Sequence, residues 1–200
     1  MDYQVENLLT TVERFVEHNL RDRLSNQMYF HNLNHTLLVV EGVKLIGKTE
    51  GLSEDELFIL VLAAFLHDVG YTEQYRGHEE ESARIASELL GTNGLAVEKI
   101  ELVKKCIIST KFPQHPAGKL EEVICDADFL HFSLPDYQDY ASRLKMEWET
   151  NLNLFYSDIE WDKLNLNMLS AHLYFTDYGK NTLQQQKAFN IMKLKSRLYN

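Results

Sequence analysis

The nine residues Phe58–Leu66 carry no polar side chain, and the next two are His67 and Asp68. An apolar run of this kind is built to be buried, so the fold must pack other elements around it. An imidazole and a carboxylate at the edge of a buried helix are costly to desolvate unless something pairs with them. A divalent cation does this for both at once. Two further residues of ligand type, His35 upstream and Asp128 downstream, complete a set of two nitrogen and two oxygen donors.

Apolar residues recur at intervals of three and four almost throughout, β-branched alternation is nearly absent, and no internal repeat is present, which predicts an all-α protein. The first helix is expected over about 2–24, burying Val5, Leu8, Leu9, Val12, Phe15 and Val16, and the second over about 32–48. Ser53-Glu-Asp-Glu56 has the form of a capping box, so a third helix opens there and runs to Val69, with Gly70 as its stop and the His-Asp pair on its last turn. Further helices are predicted over about 78–90 with Gly91 as the stop, 95–111 ended by Phe112-Pro113, and 119–132. Another runs from Pro135 through Trp148, and two more fill the C-terminus.

With 200 residues, three Pro and nine Gly there is little room for linkers, and the chain reads as one domain over 1–200: a core over about 28–132, with the N-terminal helix 2–24 and C-terminal helices 135–198 packed on it. A net charge of −10 argues against a binder of nucleic acid polymers, which need Lys and Arg to neutralise phosphates. Cys106 and Cys125 lack metal or redox spacing and are expected to be buried free thiols. The start lacks the basic-then-apolar pattern of a secretory leader, and no run approaches the roughly 18 apolar residues of a membrane span. A soluble cytoplasmic protein with no membrane partner is the expectation, its oligomeric state left open.

Spaced four apart, His31 and His35 would share one face of a helix. If the end of the third helix and Asp128 converge there, His35, His67, Asp68 and Asp128 leave coordination positions open, and the mixed imidazole and carboxylate set suits one ion of Mn, Fe, Ni, Mg or Zn. Without metal, the four would have to form a buried hydrogen-bonded network.

A first His, then His-Asp closing an apolar helix, then Asp126-Ala-Asp128-Phe-Leu resembles the HD superfamily of phosphohydrolases over about 28–132. The resemblance implies an all-α fold, a divalent metal on the His, His-Asp and Asp set, and hydrolysis of a phosphate ester or anhydride in a small phosphorylated substrate, with nucleotides among the candidates. It assigns Asp128 as the ligand and leaves Asp126 behind it. Phe30-His31-Asn32-Leu-Asn-His35 is similar to the His-Asn-x-x-His signature of cyclic nucleotide phosphodiesterases, which makes His31 a candidate general acid. His78-Glu-Glu-Glu-Ser82 is similar to a His-Glu-x-x-Ser stretch of bacterial HD phosphohydrolases, so His78 is a candidate for a phosphate or a second metal. Tyr71 departs from the pattern: relatives acting on nucleoside monophosphates or guanosine tetraphosphate carry an acid there, and Glu73 is displaced by two.

As chemistry, phosphate hydrolysis needs a nucleophile, charge stabilisation and a proton for the leaving group. Asp68 is a candidate acceptor of the water's proton, and Lys111, Arg76 and Arg143 are candidates to grip phosphate. Tyr140, Trp148, Phe155, Trp161, Tyr174 and Phe175 fall at helical spacings and are expected to be core rather than a base-stacking platform. The alternative function is an HD-fold ligand-sensing or interaction protein without turnover.

Overall fold

A computed structural model describes residues 3–199, and among these there are nine α-helices and no strand. They are α1 (Tyr3–Asp22), α2 (Leu33–Thr49), α3 (Glu54–Leu66), α4 (His78–Thr92), α5 (Val97–Ser109), α6 (Lys119–Asp128), α7 (Tyr137–Leu152), α8 (Asp158–Ala171) and α9 (Gln184–Tyr199). Short 3-10 turns follow α3 (Val69–Thr72) and α6 (Phe129–Ser133), and a π-helical turn (Gly179–Leu183) leads into α9.

Every residue of Phe58–Leu66 is buried, because α3 runs through the centre and touches α1, α2, α4, α5 and α6. At about 1.5–3 kcal/mol for each large apolar side chain removed from water, this helix anchors the fold. The expected capping box opens it: Ser53 N donates to Glu56 Oε2 (2.8 Å) and Glu56 N to Ser53 Oγ (3.4 Å). On α1, Leu8, Val12 and Val16 are buried with Leu20, while Leu9 and Phe15 are only partly covered; the side chain of Val5 lies outside the described residues.

Two helix ends differ from expectation. The third helix stops at Leu66, so His67 and Asp68 lie beyond it rather than on its last turn. Gly70 is not a left-handed stop; a Cβ there would stand 2.1 Å from the His78 carbonyl oxygen. Its N–H donates to Ser82 Oγ (2.8 Å), which clamps the turn after Asp68 onto the start of α4. The fourth helix runs through Gly91, and the left-handed residue that follows it is Gly94 (φ 77°).

The C-terminal helices dock on the turn that follows α6. Asn190 Nδ2 donates to the carbonyls of Phe132 (2.9 Å) and Leu134 (2.8 Å). Asp126 accepts from Phe175 N (2.8 Å), Thr176 N (2.9 Å) and Thr176 Oγ1 (2.6 Å), fastening α6 to the segment between α8 and α9. Both cysteines are buried and free; burial pushes the Cys106 thiol up to about 12, so neither behaves as a reactive thiolate. No helix among the described residues is long and apolar enough to cross a membrane.

Candidate metal centre and its cavity

Three helices bring the candidate ligands together. Where α2 crosses α6, Gly42 lets the backbones close in: an added Cβ would lie 3.0 Å from that of Ala127. Two turns earlier His35 faces Asp128 at the end of α6, and His67 and Asp68 arrive from the end of α3. His35 Nε2 is 3.1 Å from Asp128 Oδ1, 3.4 Å from His67 Nε2 and 3.5 Å from Asp68 Oδ2. His67 Nε2 is 3.2 Å from Asp68 Oδ2 and 3.8 Å from Asp128 Oδ1.

A divalent ion fits these residues on three counts. Donors bound at about 2.1 Å to one ion stand about 3 Å or more from their neighbours, which is the spacing seen here. His67 Nδ1 lies 2.8 Å from the Ala64 carbonyl, to which it donates; this fixes the tautomer that turns the Nε2 lone pair toward the cluster. Asp68 Oδ2 is buried at the cluster with no hydrogen bond that meets ordinary geometry among the described residues, 3.2 Å from His67 Nε2, and a bound cation would take up its lone pairs. His35, His67 and Asp128 thus form a group that could hold a metal ion.

The electrostatics agree. Burial alone would raise both carboxyls, but His67 and His78 hold Asp68 well below the usual range, and the His35 contact holds Asp128 below it. Burial would lower His67, but the neighbouring Asp68 outweighs it and pushes His67 up to about 9. The cluster demands positive charge. Gln114, which the sequence did not single out, donates from Nε2 to Asp128 Oδ2 at 3.2 Å and orients that carboxylate. Asp126, its oxygens taken by Phe175 and Thr176, faces away from the cluster.

His31 reaches the site by a different route from the one its spacing suggested. It precedes α2, whose N-cap is Asn32, with Asn32 Oδ1 accepting from Asn34 N at 3.0 Å. The His31 and His35 rings still meet, 5.7 Å apart, because Glu147 on α7 pins the segment. The Glu147 side chain is 0% exposed, and its Oε2 accepts from Phe30 N (2.8 Å) and His31 N (3.0 Å). Its Oε1 meets His31 Nδ1 (2.5 Å) and accepts from Tyr75 Oη (3.0 Å). Burial would lower His31 and raise Glu147, yet their mutual charge and hydrogen bond prevail, leaving His31 raised and Glu147 lowered. One signal in the sequence could have exposed Glu147: it is a carboxylate on the helical face that carries Tyr140, Ala141, Leu144 and Trp148.

A cavity of about 720 Å³ opens above the cluster and is lined by His31, Tyr71, Arg76, His78, Lys111 and Asp128 on one side. His78 Nε2 is 3.4 Å from Asp68 Oδ1, and its ring stacks on Tyr71 at 3.7 Å. Glu73 pairs with Arg23 and so does not stand in for the acid that Tyr71 replaces. Lys111 is exposed and ion-paired with Glu80. Arg143 is exposed and stands over the Tyr140 ring at 5.7 Å, outside the cavity lining. His131, buried beneath the cavity with Nδ1 3.1 Å from the Asp128 carbonyl, is pulled down to about 3 by burial and by His35, so it is neutral.

The opposite side of the cavity corrects the expectation that the C-terminal aromatics are only core. Tyr140, Trp148 and Trp161 line it together with Tyr137, whereas Tyr174 is buried elsewhere and Phe155 is 73% exposed. Helical spacing places aromatics on one face but does not reveal whether that face meets protein or space.

The family model for the HD domain matches residues 32–133. Three solved structures share the fold, each at 18% identity. A predicted HD superfamily hydrolase from an uncultured Thermotogales bacterium has a TM-score of 0.61, covering 94% of this chain and 90% of its own. Bacillus subtilis YpgQ, solved in complex with ADP, has a TM-score of 0.69 and covers 98% of both chains. A Lactobacillus plantarum protein has a TM-score of 0.69, covering 96% of this chain and 94% of its own. No curated protein sequence matches significantly.

Proposed function

The chain belongs to the HD domain family, and on that premise we propose that it is a metal-dependent phosphohydrolase acting on a small phosphorylated molecule. His35, His67, Asp68 and Asp128 hold one divalent ion of Mn, Fe, Ni, Mg or Zn. When bound, such an ion supplies positive charge to a phosphoryl oxygen and makes water a better nucleophile at neutral pH.

The chain's own residues do the rest. Asp68 is placed to take the water's proton. His31 gives a proton to the departing oxygen: with Nδ1 engaged by Glu147, its other N–H is left for the substrate, and the Glu147 carboxylate raises the His31 pKa and so favours the protonated ring. Arg76, Lys111 and His78 grip the phosphate. The observation that carries this reading is the His31–Glu147 pair, a buried acid with its own counter-ion that shares one cavity with the ligand cluster. The ADP bound to YpgQ supports a nucleotide as the finer substrate class. The net charge of −10 supports a small substrate rather than a nucleic acid polymer.

A second reading has one observation in its favour. Tyr71 stacks on His78 at the position where relatives acting on nucleoside monophosphates or guanosine tetraphosphate carry an acid, which suits a protein that senses a ligand without turning it over.

Elemental analysis combined with phosphate release from nucleotides, cyclic nucleotides and sugar phosphates separates the two. The hydrolase carries about one ion per chain and releases phosphate only while metal is bound. Stripping the ion with EDTA lowers its Tm by about 5–10 °C, the scale set by losing a ligand held well above its Kd. Full metal with no hydrolysis of any compound would establish the sensor, and a metal-free protein with unchanged Tm would remove the site.

A further inference from the structure

The cavity has two unlike sides. The side nearest the ligand cluster carries the ionisable groups; the other, built by α7 and α8, carries Tyr137, Tyr140, Trp148 and Trp161. Tyr140 and Trp148 are only partly covered although they sit in the middle of a folded chain, and the Trp148 and Trp161 rings meet edge to face at 5.4 Å. Trp161 is 3% exposed, and its indole Nε1 is buried with no acceptor among the described residues. A buried indole N–H normally has a partner. Asn165, one turn on, is already committed, for its Oδ1 accepts from the Tyr137 hydroxyl and its Nδ2 donates to the Trp161 carbonyl at 2.8 Å.

Charge narrows the ligand further. The cavity is lined by two permanent cations, Arg76 and Lys111, against Glu79 and Asp128, and Lys111 is tied to Glu80. One phosphate needs little more than one guanidinium; a triphosphate brings several negative charges that this lining does not match.

We propose that the α7–α8 wall, through its partly exposed Tyr140 and Trp148 rings, is a recognition site for a planar aromatic group, so that the ligand is an ester of a single phosphate bearing a flat ring system. The ring would stack on this wall while the phosphate faces the ligand cluster, and the proposal rests on the phosphohydrolase reading for that second half alone.

The chain has two tryptophans and both line this wall, so their emission reports ligand there directly. The metal-loaded protein is titrated with benzyl phosphate, AMP, ATP and glycerol 3-phosphate. Benzyl phosphate and AMP should change the emission saturably, glycerol 3-phosphate should not, and ATP should bind at least about tenfold more weakly than AMP. Trp148→Ala removes the partly exposed indole and leaves Trp161 as reporter; it should weaken both AMP and benzyl phosphate roughly tenfold while leaving inorganic phosphate within about twofold. Equal affinity for glycerol 3-phosphate and benzyl phosphate, tighter binding of ATP than AMP, or unchanged AMP affinity in Trp148→Ala overturns the proposal. Should that variant fail to fold, the ligand series on the wild-type protein decides alone. Phosphate release from glycerol 3-phosphate as fast as from benzyl phosphate would keep the hydrolase and remove the aromatic site. Aromatic binding without any phosphate release would do the reverse.

Discussion

The two sides of the cavity are held in place by different means. On the metal side, His35, His67, Asp68 and Asp128 come from α2, α6 and the end of α3 within the matched region, and three of the four are held by a neighbour: the Ala64 carbonyl for His67, Gln114 for Asp128, the Gly70–Ser82 clamp for the turn after Asp68. The aromatic side comes from α7 and α8, beyond that region, and two of its rings, Tyr140 and Trp148, are partly open to space. Glu147 is the exception that joins them. It stands on α7 yet holds His31, so a helix beyond the matched region positions the proposed acid. The contrast teaches that the ligand cluster is a tight polar lattice inside the matched region, while the proposed recognition wall lies beyond it, in a part of the chain that the solved neighbours also cover.

The strongest way to break that division is at the metal side. Asp68→Ala should lose most of the ion and slow turnover by about 10³-fold or more, because removing a carboxylate leaves the remaining imidazoles and the ion's charge unmatched. Metal content equal to wild type would show that Asp68 belongs to the cavity and not to the lattice.

His31→Asn should spare metal and fold. Turnover of benzyl phosphate, whose alcohol leaves poorly, should fall by roughly 10²-fold, while 4-nitrophenyl phosphate, whose leaving group departs unprotonated, should change far less. Equal slowing of both esters would mean that His31 shapes the site rather than protonating anything.

Glu147→Gln tests the bridge between the two sides, with an effect of about tenfold near neutral pH that grows as the pH rises. Glu147 raises the His31 pKa, and an acid works only below its pKa, so activity is lost as pH climbs through that value. Without the carboxylate charge the His31 pKa falls, and the alkaline limb of kcat/KM must move to lower pH. A uniform drop with an unmoved limb would assign Glu147 to holding the Phe30–His31 backbone alone.

The helical class, the central burial of Phe58–Leu66 and the identity of the clustered residues were legible in the chain, because each depends on local periodicity, on an apolar run, or on short motifs whose spacing a helix translates into geometry. The Ser53 capping box was readable for the same reason: its donors and acceptors lie within four residues. Other features depended on contacts across long separations. His31 joins the site from outside α2 through a carboxylate 116 residues away, and Gly70 is needed because α4 passes within contact of it. The aromatics of α7 and α8 were readable as a helical face but not as a cavity wall, since periodicity encodes only which side of a helix is apolar. What that side meets, a neighbouring helix or a ligand-sized space, is decided when the helices pack.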